Sequence, residues 1–186
     1  TDALMQLSMT RRSAVSVLDA ENGGPDLSDP LLKLDLANGS IEVYIENGKQ
    51  YAKQGESEWQ CDKLAVISKS TTTSNTLTIK GGSVAAKVTL SNVNIDVSAQ
   101  NNTAALSVSG DVELILDGVN VLKSGDKCAG LQKNDNGVLT IDGTGSLEAR
   151  GGNYGAGIGA GYDVNGRNAR NIVINGGTIN AYGGDH

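Results

Sequence analysis

The acidic residues are the first candidates for chemistry. Asp111, Glu113, Asp117, Asp126, Asp135 and Asp142 lie in one middle stretch of the chain. Carboxylates set across a glycosidic bond can cleave it, and clustered carboxylates can hold calcium through oxygen ligands. Asp117 and Asp142 read as one column of a repeat, one layer or about 5 Å apart. Two stacked carboxylates repel unless a cation or a shared proton lies between them. Calcium held by Asp117 and Asp142 is one reading. The other is that each caps its own turn through an Asx hydrogen bond. Little else supports catalysis. His186 is the only histidine, and Arg150, Arg167 and Arg170 are the only arginines beyond the N-terminal pair. No nucleophile elbow or Ser-His-Asp order occurs.

A glycine-rich run is the second candidate. Residues Gly151 to Gly161 hold six glycines in eleven positions. A dinucleotide fingerprint needs G-x-G-x-x-G between a strand and a helix. Counted from Gly155, its third glycine falls on Ala160, and no helical pattern follows. A Walker loop fails for want of Gly-Lys-Ser/Thr, and the calcium nonapeptide fails for want of an Asp in frame. The flanking segments Val138–Gly152 and Asn171–Gly184 are versions of one phrase, so the run belongs to a repeat.

Sugar-binding surfaces use aromatic rings, and Trp59, Tyr44, Tyr51, Tyr154, Tyr162 and Tyr182 are the whole supply. Tyr182 aligns with Arg150 in the repeat, and Tyr154 lies four residues beyond that position. Tyr162, Asp163, Asn165, Arg167 and Asn168 fall in a polar insertion, Gly159 to Arg170. Departures from a repeat are where function tends to sit on solenoids. Tyr154, Tyr162, Asp163, Asn165, Arg167 and Tyr182 are therefore the candidate ligand-binding set. The alternative is a solvated loop without function.

The elements that must position these residues follow from periodicity. Residues 2–19 read as a helix, with Leu4, Leu7, Ala14, Val15 and Leu18 on one face and Asp2 as cap. Residues 1–31 form an expected N-terminal cap of helix and loop. From Leu32 the period becomes two: Leu32–Leu36 and Ile41–Ile45 alternate on either side of Asn38-Gly39, and Glu46–Asp62 reads as polar and irregular. Short strands follow at Leu64–Ile67, Thr76–Ile79 and Val88–Leu90. The last apolar residues before each turn, Leu90, Leu116, Ile141 and Ile174, step by 26, 25 and 33. A second column, Leu106, Leu131 and Ile158, steps by 25 and 27. Further rows agree in type: Ser91, Asp117, Asp142, Asn175; Asn92, Gly118, Gly143, Gly176; Ile95, Val121, Leu147, Ile179; Asn101, Asp126, Asn153; and Ala104, Ala129, Ala156. A unit of this size cannot bury its own apolar face, but parallel stacking can. The expected fold is all-β, a right-handed parallel β-helix over residues 32–186. Leu90, Leu116, Ile141 and Ile174 should form one buried column. The L-x-x-L-x-L-x-x-N frame of the rival leucine-rich solenoid is absent.

Composition excludes several classes. A formal charge of −6 and a pI near 4.7 argue against a nucleic-acid partner. No apolar run approaches the roughly 18 residues of a membrane span. With no Phe and one Trp, the core must come from Val, Ile, Leu and Ala. Cys61 and Cys128 lack metal-type spacing; two separate buried thiols are expected. Thr1-Asp2-Ala3 does not begin a signal peptide, so a mature or trimmed chain is expected.

Three phrases carry a resemblance: Gly155–Gly161, Ile172–Ile179 and Leu114–Val121. They resemble bacterial cell-surface right-handed β-helix proteins of Clostridia and gut Firmicutes, a group that includes a pectin-binding, calcium-dependent carbohydrate-binding family. The likeness spans about residues 32–186. It implies export to the cell wall or medium and binding of acidic polysaccharide, without assigning individual ligands. The resulting expectation is a secreted or cell-surface, non-catalytic module that binds a polysaccharide or a host or cell-wall glycan, or acts as an adhesin. It carries no cofactor unless calcium is one. The alternatives are a fragment of a polysaccharide lyase or glycoside hydrolase, and a structural stalk. Because the last phrase stops at Asp185-His186 without a closing element, end-to-end self-association or a longer parent chain is also expected.

Overall fold

The computed structural model describes residues 31–162 and 169–185. The expected N-terminal helix lies outside the described residues. The alternating runs form β1 (Leu32–Asp35) and β2 (Ile41–Glu46), joined by a 3-10 turn at Leu36–Asn38. The stretch read as irregular instead contains β3 (Lys49–Gln54), antiparallel to β2, and β4 (Ser57–Gln60), antiparallel to β3. Its period is hidden because its inward positions on β3 hold one polar and one small residue. Gln50 and Ala52 are buried and Trp59 packs against the core.

Then β5 (Leu64–Ile67) and β6 (Leu77–Lys80) lead into a regular winding. One coil is β7 (Ala86–Ser91), β8 (Asn94–Asp96) and β9 (Leu106–Ser109). The next is β10 (Val112–Asp117), β11 (Val119–Lys123) and β12 (Leu131–Lys133). A third is β13 (Leu139–Gly143), β14 (Ser146–Arg150) and β15 (Ile158–Gly159), followed by β16 (Ile172–Ile174) and β17 (Thr178–Tyr182). Each coil places one strand in each of three sheets. Their orders are β1-β5-β7-β10-β13-β16, β8-β11-β14-β17, and β4-β3-β2-β6-β9-β12-β15. Outside the β2-β3-β4 meander every pairing is parallel. The fold is a parallel β-helix.

The core is the stack of inward residues, one apolar layer on the next. In the first sheet Leu32, Leu64, Val88, Leu114, Ile141 and Ile174 share a column. In the third, Leu77, Leu106, Leu131 and Ile158 do so, as the second sequence column implied. The first sequence column needs correction. Leu90 and Leu116 are partners, but Leu116 pairs with Gly143, and Ile141 pairs with Leu114. Gly143 occupies the inward position where an apolar residue was sought. A Cβ there would stand 2.3 Å from the Leu116 carbonyl oxygen, and its φ is +108°, so only glycine fits. Leu90, Leu116 and Ile141 are buried as expected, but Ile174 is 53% exposed. It stands on an edge strand of its sheet, and among the described residues nothing pairs with β16 on its far side.

The second sheet shifts likewise. Ile95 pairs with Leu122, not Val121, and Leu147 pairs with Asn120 and Ile179. Asn120 thus sits in an apolar column and is fully buried. Its Oδ1 accepts from Val93 N at 2.9 Å, and its Nδ2 donates to the Asp117 and Ser146 carbonyls at 3.1 Å. Buried Ser68 and Ser124 stitch neighbouring coils in the same way. Cys61 and Cys128 are free, separate and buried, and burial pushes both thiols up in pKa.

Candidate functional site

The corner between the second and third sheets repeats one turn. Cys128 N donates to Gly125 O at 3.1 Å, and one coil on Gly155 N donates to Gly152 O at 2.8 Å. Successive coils are tied there by a ladder: Asn102 N to Asp126 O (3.0 Å), Lys127 N to Asn153 O (2.8 Å) and Tyr154 N to Asp185 O (3.1 Å). The expected pairing of Asn101 with Asp126 is present as a parallel bridge. The next position along the turn therefore holds Asn102, Lys127 and Tyr154 in register. All three have positive φ, at 52°, 64° and 61°, and all three are exposed.

The insertion after β15 returns to this corner. Gly161 N donates to Asn134 Oδ1 at 3.1 Å, and Tyr162 N donates to Lys127 O at 2.8 Å. These two bonds lay residues 160–162 across the outside of β12 and bring Tyr162 against Tyr154. The ring centroids are 5.4 Å apart, tilted by 53°, and each residue is 52% exposed. On β12, Lys133 turns inward and is fully buried. Its Nζ donates to Asp135 O at 2.9 Å and Oδ1 at 2.7 Å. Asp135 Oδ2 also accepts from Gly110 N, and Oδ1 from Gly137 N. Burial pushes the Asp135 carboxyl up in pKa, but the Lys133 hydrogen bond, the backbone donors and the lysine charge outweigh it and hold it below its ordinary value.

Across Gly151, the outer face of the second sheet carries the column Asp96, Lys123, Arg150 and Tyr182. The expected alignment of Tyr182 with Arg150 is a contact: the guanidinium carbon lies 4.2 Å from the ring centroid. Arg150 also bonds Glu148 at 2.7 Å, and Lys123 pairs with Asp96 at 3.4 Å. Tyr182 is 44% exposed. The structure thus joins Tyr154 to Tyr162 and Tyr182 to Arg150, on either side of one turn. Asp163, Asn165 and Arg167 lie outside the described residues.

The stacked carboxylate pair is not formed. Asp142 is opposite Ile115, whereas Asp117 is opposite Ser91. With Gly143 at the inward position, the register lies two residues from the one expected. Asp117 Oδ2 accepts from Ser91 Oγ at 2.8 Å, and Asp142 Oδ1 from Gly143 N at 2.7 Å. Among the described residues no group of three or more His, Cys, Asp or Glu could hold a metal.

Sequence reasoning passed over Lys127. Its signal was one residue away, in the Asn101–Asp126–Asn153 row. It also left Tyr44 and Tyr51 unassigned. These stack across β2 and β3 at 5.5 Å and 18°, with Lys53 Nζ 5.4 Å from the Tyr44 centroid. The Tyr44 hydroxyl bonds Glu58, and that bond, partial burial and the charges of Glu58 and Glu46 push its pKa up to about 12. Cross-strand pairs of this kind stabilise a sheet.

Residues 139–162 and 172–185 match the family model described as a beta helix repeat. The match covers β13 to β17 and agrees with the coil assignment. No curated protein and no solved structure matches the chain. Among the described residues no helix is long and apolar enough to cross a membrane. The fold and the repeat together define a parallel β-helix module.

Proposed function

We propose that this β-helix module binds polysaccharide without cleaving it, in a secreted or cell-surface setting, and that the Tyr154–Tyr162 corner is its binding site. One observation carries the reading: two half-exposed tyrosine rings held together on a rigid corner by a departure from the repeat. A tyrosine pair offers apolar ring surface with polar tips, the combination that suits a sugar with its C–H faces and hydroxyls. Rings fixed by the backbone lose little entropy on binding. Tyr182, on the Arg150 side of the turn, extends the same edge of the molecule.

The test is a glycan array probed with the wild-type protein and with Tyr154→Ala/Tyr162→Ala, each with and without added calcium. Wild type should retain a defined set of polysaccharides, and the double variant should lose them, with affinity down at least about tenfold (about 1.4 kcal/mol). Melting curves should show both proteins folded. Equal retention by the two proteins would place the site elsewhere, and no retention by wild type would end the glycan reading. A requirement for calcium would add a cation to the partners.

A further inference from the structure

Two tyrosine pairs on this molecule have nearly the same separation and different surroundings. Tyr154 and Tyr162 have ring centroids 5.4 Å apart with a tilt of 53°, and each residue is 52% exposed. Tyr44 and Tyr51 are 5.5 Å apart but stacked at 18°, and both are half-buried. The Tyr44 hydroxyl is engaged by Glu58 and its ring by Lys53. That stacked pair is the cross-strand contact of β2 with β3. The tilted pair belongs to no strand ladder. Backbone bonds hold it from two sides: Tyr154 N donates to Asp185 O at 3.1 Å, and Tyr162 N to Lys127 O at 2.8 Å. Gly161 N adds its bond to Asn134 Oδ1 at 3.1 Å. Two phenols are thereby kept within reach of each other and of solvent. Oxidised phenols join through the carbons ortho to oxygen, edge to edge. Exposed rings turn about their side-chain bonds in picoseconds to nanoseconds, so a tilted pair can bring those edges together. A stacked pair presents faces instead.

We propose that Tyr154 and Tyr162 form a modification site, coupled to dityrosine by hydrogen peroxide and a haem peroxidase. Each phenol gives up one electron and its hydroxyl proton, which leaves a phenoxyl radical with spin on the ortho carbon. The two ortho carbons bond. Each ring regains aromaticity as its ortho hydrogen leaves as a proton and its oxygen takes a proton up. In all, two electrons and two protons pass to one peroxide, which becomes two waters. The product is lighter by two hydrogens. It closes residues 154–162 into a covalent ring and staples the start of the insertion to the corner. Because the backbone already holds the rings together, coupling within one chain outruns coupling between chains. The proposal is independent of the glycan reading: it needs no ligand, and it uses the hydroxyl-bearing edges of the rings.

The test treats dilute protein with a haem peroxidase and hydrogen peroxide, and a parallel tube of N-acetyltyrosine shows that the dose couples free phenols. Intact mass, dityrosine fluorescence and peptide mapping read the product. Wild type should yield a monomer lighter by two hydrogens, fluorescent as dityrosine, with its cross-link mapped between Tyr154 and Tyr162. Tyr154→Phe and Tyr162→Phe should each lose that product, whereas Tyr51→Phe should keep it. Melting curves before treatment should show every variant folded. Three results would overturn the proposal: no loss of two hydrogens where N-acetyltyrosine couples, a cross-link mapped to Tyr44–Tyr51 or Tyr182, or dityrosine found only in covalent dimers. Any of these leaves the glycan reading to its own array, because a phenylalanine keeps the ring surface that a sugar would cover.

Discussion

A lysine inside an apolar solenoid must bring its counter-charge with it. Lys133 has no exposed surface, and its Asp135 partner lies two residues on. Lys133 is fully buried while the Asp135 side chain is 37% exposed, so Asp135→Asn leaves the ammonium without its counter-charge and should cost about 1–3 kcal/mol at neutral pH. The pH dependence has a definite sign. The Asp135 pKa is lower folded than unfolded, so its stabilisation is present above the ordinary carboxylate range and is lost as pH falls through the folded value. Urea unfolding at pH 7 and near pH 3 checks this: the gap between wild type and Asp135→Asn should narrow in acid. A gap that stays constant would mean the charge is not what matters. At this scale the sequence was partly legible. Tyr162 in the repeat insertion and Tyr154 just before it stand out by type. Lys127 does not, because a lone lysine looks like any solvated charge until its backbone conformation is known. Nor does Lys133, whose inward direction follows only from the register of β12 with β9.

At the level of elements, the strands were legible through period two, but the register was not. The search for a last apolar residue before each turn fails where Gly143 replaces that residue. The same displacement hid Asn120, which apolar patterning would replace with leucine. Asn120→Leu should destabilise the fold by about 1–3 kcal/mol. It strands the Val93 N–H and removes the donors to the Asp117 and Ser146 carbonyls, although the Asp117 carbonyl keeps its bond from Asn92 N at 3.2 Å. Chemical denaturation measures the change. A neutral or stabilising result would show that packing volume, not the polar tie between β8, β11 and β14, governs this column. The β3-β4 hairpin was missed for a related reason: polar Gln50 occupies an inward position, which leaves Ala52 as the only apolar residue facing inward on β3. Gln50 is satisfied there by the Lys87 backbone, donating to its carbonyl at 3.0 Å and accepting from its N–H at 2.7 Å.

For the molecule as a whole, the solenoid was legible because two columns drifted together, and coincidence rarely produces that. The site was legible only as a region. Sequence spacing placed Tyr154 and Tyr162 on either side of a strand, and only the return of the insertion over β12 brings their rings to 5.4 Å. A stack of coils gives such a corner unusual rigidity, since each turn is bonded to the turn of the next coil. That rigidity makes the central claim, that this corner binds glycan, directly observable. The measurement is a titration of isotope-labelled protein with an oligosaccharide retained on the array, followed by amide chemical shifts. The account predicts that the largest shifts fall on Lys127, Gly152, Tyr154, Gly155 and Tyr162, with the first sheet unmoved. Saturable shifts confined to the outer face of the first sheet, around Thr89, Ile115 and Asp142, would contradict it.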